Sequence, residues 1–111
     1  MSAIETMLQS EYLHLYRSVT RLREECLQRP KGSLAIKKRG NGSYVYLVKR
    51  ENGKVVTEYI GKLGTWKTKG LEAKVIERRR YEAELKDAEI QIHKLKKLMK
   101  ASGAFFVEPT R

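Results

Sequence analysis

The chain's 111 residues suit one domain, or one domain on a helical stalk, and leave too little length for two cored domains or most multi-substrate enzyme folds. Hydrophobic residues make up 41% and charged residues 33%, with 24 Lys and Arg against 13 Asp and Glu, so the expectation is a water-soluble, strongly basic chain with a modest core. Three absences exclude further classes: no apolar run approaches a membrane span of about 18 residues, no basic start with an apolar stretch marks a secretory signal, and the one cysteine, Cys26, supports neither an internal disulfide nor a Cys-based zinc set. A reducing, cytoplasmic setting away from membranes is the expectation.

Residues 1–29 read as a first helix. Ser2 and Glu5 fit a capping box, and Leu8, Tyr12, Leu15, Val19, Leu22 and Cys26 recur with steps of 4, 3, 4, 3, 4, the spacing of a heptad seam. Pro30 and Gly32 stop it. Residues 33–62 read as a three-stranded β-meander. Asn41-Gly42 and Asn52-Gly53 are strong hairpin signals, and they divide strand-like runs at Leu34 to Arg39, Tyr44 to Arg50 and Val55 to Ile60. Residues 68–102 read as a second helix with a matching seam at Tyr81, Leu85, Ala88, Ile92, Leu95 and Met99, closed by Gly103. A short apolar tail, 103–111, carries Phe105-Phe106-Val107 and is expected to fold back or to dock on a partner.

Two-residue turns at both Asn-Gly pairs fix a register. The second turn places Lys49 opposite Val56, Leu47 opposite Glu58 and Tyr46 opposite Tyr59. The first places Ile36 opposite Leu47, Lys37 opposite Tyr46 and Arg39 opposite Tyr44. Alternation then sorts the side chains. Leu34, Ile36, Val45, Leu47, Val56 and Ile60 share an aliphatic face expected to pack on the helices. Lys37, Arg39, Tyr44, Tyr46, Val48, Arg50, Thr57 and Tyr59 share the other, which is aromatic and basic.

Charge follows the same division. Residues 1–30 carry a net charge of zero, residues 31–80 carry +10, and residues 81–111 carry +1. The middle of the chain is therefore expected to meet a polyanion. Three tyrosines and three cations on one small face suit stacking and phosphate contacts, although Tyr46 against Tyr59 also suits plain sheet stabilisation. Lys67, Lys69, Lys74 and Arg78, with Arg79 and Arg80, form a second basic cluster at the start of a helix, where the macrodipole prefers acids. Trp66, among these cations, is expected to serve as a core or hinge anchor rather than a base stacker.

The run Lys38-Arg39-Gly40-Asn41-Gly42-Ser43-Tyr44-Val45-Tyr46-Leu47-Val48, with Gly53-Lys54-Val55 and Tyr59-Ile60-Gly61-Lys62-Leu63-Gly64, resembles the β-rich N-terminal region of DDE-type insertion-sequence transposases and related short bacterial and phage proteins of unknown function. More distantly it is similar to the arm-site DNA-binding domains of phage integrases. The resemblance covers residues 34–64 and implies a nucleic-acid-binding sheet; 111 residues leave no room for a DDE core.

No Ser-His-Asp set, phosphate-cradling loop or zinc spacing is present, and Asp87 is the one aspartate, so neither catalysis nor a cofactor or metal is expected. His14 and His93 are expected beside the helical seams rather than as metal ligands. The expected fold is α+β, with two long helices as an antiparallel coiled-coil stalk and an inserted three-stranded antiparallel meander. A homodimer through the helices, or docking on a larger protein, would bury any seam left uncovered. The expected function is non-catalytic nucleic-acid binding, DNA before RNA, for a phage, plasmid or transposon. The sites are Lys37, Arg39, Tyr44, Tyr46, Arg50, Tyr59, Lys67, Lys69, Lys74 and Arg78. The alternative is a small phage-borne inhibitor or interaction module acting on a nucleic-acid-dependent complex such as a CRISPR effector.

Overall fold

A computed structural model describes residues 3–103 of the chain; the Ser2 cap and the 105–107 tail lie outside the described residues. The order is α1 (Ala3–Leu27), β1 (Ser33–Arg39), β2 (Gly42–Glu51), β3 (Lys54–Lys62) and α2 (Trp66–Ala101). The strands form one antiparallel sheet in the order β1-β2-β3, so the fold is α+β with a meander inserted between two long helices. No helix among the described residues is long and apolar enough to cross a membrane.

The chain divides into two compact units: Met1–Glu25 with Tyr81–Arg111, and Cys26–Arg80. In the first, the helices pair antiparallel along the two heptad seams. Tyr12 and Met99 are fully buried, and Leu15, Val19, Leu22 and Ala88 are nearly so. Val19, Leu22 and Ala88 form the centre of this packing, with Tyr81 and Leu85 against them. Lys96 stands over the Tyr12 ring at 5.7 Å, and Arg23 meets Glu89 at 3.3 Å. The latter pair is exposed and contributes little, so apolar burial holds this unit together. Gly103, at φ +75°, ends α2 and donates its N–H to the Lys100 carbonyl, as the sequence leads one to expect.

In the second unit, the register of β2 against β3 matches expectation at Tyr46–Tyr59, Leu47–Glu58 and Lys49–Val56. Asn52 and Gly53 both have positive φ, 51° and 78°, the pattern of a type I′ turn. The first hairpin differs. Its turn is Gly40-Asn41, so Lys37 pairs with Tyr44, Ile36 with Val45 and Leu34 with Leu47, a shift of two residues from the expected pairing. Gly40 has φ +60° while Asn41 stays in the negative range, the pattern of a II′ turn, which wants glycine first. In Gly40-Asn41-Gly42 either dipeptide can turn. Because the shift is even, every side chain keeps its face.

The aliphatic face is covered by the first turns of α2. Leu34 shares a depression with Glu72, Val75 and Ile76, and Ile60 lies with Leu71. Val45, Leu47 and Val75 are buried. Ile36, expected in this core, is 60% exposed. It sits on the right face, but β1 is an edge strand and is only partly covered at Leu34 and Ala35, with every later position exposed. Helix α2 also starts earlier than expected. Thr65 caps it: its hydroxyl accepts from the Thr68 N–H at 3.4 Å, and its carbonyl accepts from the Lys69 N–H at 3.0 Å.

Candidate nucleic-acid interface

Cross-strand pairs set Tyr46 beside Tyr59, Lys37 beside Tyr44, and Arg50 beside Val55. Lys37, Arg39, Tyr44, Tyr46, Arg50 and Tyr59 therefore share one face, as the alternation predicts. The tyrosines form a contiguous group. Tyr46 meets Tyr59 edge-on with centroids 5.5 Å apart, and Tyr44 meets Tyr59 at 6.3 Å. Such contacts stabilise a sheet, so part of the aromatic content is structural. Tyr59 nevertheless remains 56% exposed, and Lys37 Nζ stands 5.0 Å from the centre of the Tyr46 ring. A side chain on Gly42 would meet the Tyr44 hydroxyl at 2.9 Å, so this glycine gives the ring its place.

One residue of this face was not foreseen. A bulge between Val45 and Tyr46 of β2 breaks the β2–β3 register, so that Tyr46 pairs with Tyr59 while Val45 pairs with Gly61 and Tyr44 with Lys62. Ile60 is the extra residue, and Lys62 reaches the tyrosine face opposite Tyr44. Gly61 inside a strand was the one available signal.

The face carries no carboxylate. Glu51 pairs with Lys49 at 3.0 Å across strand positions that belong to the opposite face, and that hydrogen bond holds the Lys49 ammonium above its ordinary range. Glu58 lies opposite Leu47, also on the other face. Lys37, Arg39, Arg50 and Lys62 form no ion pair among the described residues.

The helical cluster separates into two kinds of cation. Arg78 donates to the Arg29 carbonyl at 2.6 Å and Arg79 to the Ser33 hydroxyl at 2.6 Å. Arg29 in turn binds Glu77 at 2.8 Å, which holds that carboxyl below its ordinary range. These groups tie α2 to the segment that follows α1. Lys67, Lys69 and Lys74 are exposed and form no ion pair among the described residues. They stand on the helix that covers the aliphatic face, so they make a second patch rather than an extension of the tyrosine face.

Trp66 overturns its expectation. It is 87% exposed and anchors no core. His14 and His93 are exposed, and among the described residues no group of three or more His, Cys, Asp or Glu is placed to hold a metal.

Fold and face together define a small α+β module that carries its charge on a sheet-and-helix unit. The sequence model of a family described as a domain of unknown function (DUF6788) matches residues 6–64, more than half of the chain, and the protein belongs to that family. The match takes in most of α1 and the whole meander. Among curated proteins and among solved structures, none matches the chain.

Proposed function

We propose that the protein is a non-catalytic nucleic-acid-binding protein that works in the cytoplasm and holds its ligand against the tyrosine face of the sheet. One observation carries this reading. The unit Cys26–Arg80 has fifteen Lys and Arg against four Glu, a net +11, while the other unit has nine of each sign and a net of zero. The whole excess charge is thus confined to one unit, and one face of its sheet holds Lys37, Arg39, Arg50 and Lys62 around three tyrosines with no acid among them. A solubility charge has no reason to be so placed. A phosphate backbone supplies the missing counter-charge, and the rings give bases or sugars a surface to pack on. The likeness of residues 34–64 to transposase and integrase β-regions supports the same reading, with DNA as the first candidate and a mobile element as the setting.

The test is the salt dependence of binding to labelled DNA and RNA. If about six phosphates are neutralised, log K should fall against log salt with a slope of roughly −5 for duplex and roughly −4 for single strands. A flat dependence, or no binding at low salt, removes the proposal.

A further inference from the structure

Among the described residues Trp66 is the most exposed large apolar side chain, at 87%. Nothing in the fold asks for an indole there. The turn into α2 is made by Gly64, at φ +88°, and by two threonines. The Thr65 hydroxyl donates to the Lys62 carbonyl at 3.0 Å, and the buried Thr68 hydroxyl reaches the same carbonyl at 3.2 Å. This cap fixes the backbone, so Trp66 is held at a defined place on the surface rather than on a loose loop.

Beside it lies a recess of about 300 Å³, lined by Ile60, Leu71, Gly70, Trp66, Lys67 and Lys74. That volume is at the small end of ligand sites. Gly70 is a second oddity. Glycine inside a helix costs stability relative to alanine, and nothing lies within 4 Å of where its Cβ would stand. The chain's own packing does not require this glycine; an incoming group would. An apolar floor, an exposed indole, a wall kept free of side chain and two lysines at the rim match one chemistry: a flat aromatic group attached to anionic ones.

We infer that this recess takes an unpaired nucleobase, stacked on Trp66, with Lys67 and Lys74 on the flanking phosphates. The inference rests on the nucleic-acid reading above and adds to it a preference for single strands over duplex. A base inside a duplex has both faces covered by its neighbours and cannot offer one to an indole.

Trp66 is the chain's one tryptophan, so its fluorescence reports this site alone. The full chain is titrated with oligo(dT) and oligo(U) of about twelve nucleotides and with a duplex of similar length. Binding is followed both by Trp66 emission and by anisotropy of an end label on the nucleic acid. The expected result is quenching by the single strands, with tighter binding of them than of duplex; comparing oligo(dT) with oligo(U) separates DNA from RNA. Trp66→Ala should weaken single-strand binding by roughly tenfold or more and leave duplex binding unchanged. Gly70→Ala should raise the melting temperature and still weaken single-strand binding, which a merely structural glycine would not do. Single strands that bind without changing Trp66 emission, and bind Trp66→Ala as tightly, overturn the inference and leave the nucleic-acid reading standing. Emission that shifts with protein concentration alone gives the recess to a second copy and also overturns it. Absence of any binding at low salt overturns both readings.

Discussion

The paired helices and the meander unit treat charge and aromatic rings differently. The helical unit has a net charge of zero and keeps Tyr12, Leu15, Val19, Leu22 and Met99 out of water. The meander unit has a net +11 and leaves Tyr59 and Trp66 more than half exposed. A chain selected only to fold would place rings inside and spread its cations among acids. Among the described residues the first unit buries Tyr12, half-buries Tyr16 and Tyr81, and balances its charges, whereas the second leaves Tyr59 and Trp66 exposed and its charge unbalanced. We take the contrast as support for the proposed ligand contact, since residues that break local rules of burial and charge balance are expected at functional sites.

Mutations should break this contrast in a graded way. Leu22→Ala opens the helical seam at a 3% exposed position and should cost about 2–5 kcal/mol in chemical denaturation, with binding by the folded fraction unchanged. Leu47→Ala, at a 4% exposed position under the sheet, should cost a similar amount, at least about 2 kcal/mol. If Leu22→Ala abolishes binding in protein that is still folded, the division between the units is wrong. The next effect is on binding alone. Replacing Lys37 and Arg50 together by Ala should change stability by less than about 0.5 kcal/mol. It should lower affinity and reduce the salt slope by roughly 2 if both side chains sit on phosphates. A double variant that binds like the parent would move the ligand surface to Lys67, Lys69 and Lys74.

The smallest effect concerns the tie between α2 and the segment that follows α1. Arg29 holds the Glu77 carboxyl below its ordinary value near 4.5. A depressed folded-state value means that the contribution is present above the ordinary value and is lost as pH falls through the depressed one. Glu77 is 44% exposed, so the loss should be slight. Melting curves of the parent and Glu77→Gln should differ at neutral pH and converge in acid. Curves that stay parallel across that range would show that the ion pair contributes nothing.

Most of the fold is legible in the sequence because it depends on periodicity. Both helical seams are written in steps of three and four, and strand alternation assigns the two faces of the sheet. What the pattern could not reach is set by single residues. In Gly40-Asn41-Gly42, two overlapping dipeptides each satisfy a hairpin, and the choice depends on which residue takes positive φ. The bulge that puts Ile60 outside the pairing and carries Lys62 to the tyrosine face leaves the local composition strand-like, with Gly61 as its one trace. Ile36 obeys the alternation and is still exposed, since alternation gives the face of a side chain and not whether anything covers it. Trp66 reverses for a related reason. Composition says that a tryptophan is usually inside, and only the position of the Thr65 cap shows that this one begins a helix on the surface.

The tight turns of the meander also bear on how the chain finds its fold. Val19 and Ala88 belong to one packed cluster but are far apart in sequence, so pairing the helices means closing a long loop. Gly40-Asn41 and Asn52-Gly53 let β1, β2 and β3 pair with near neighbours, which involves little chain ordering before contacts form. Once the sheet exists, the floppy length between the helices shrinks. Of the 38 residues between α1 and α2, eight lie outside the span of the sheet, and an effective loop about four times shorter lowers the closure cost by about 1 kcal/mol. The sheet is then expected to form early, with the helices zipping together afterwards. Substitutions at either turn should slow folding more than they speed unfolding, and those at Leu22 should do the opposite.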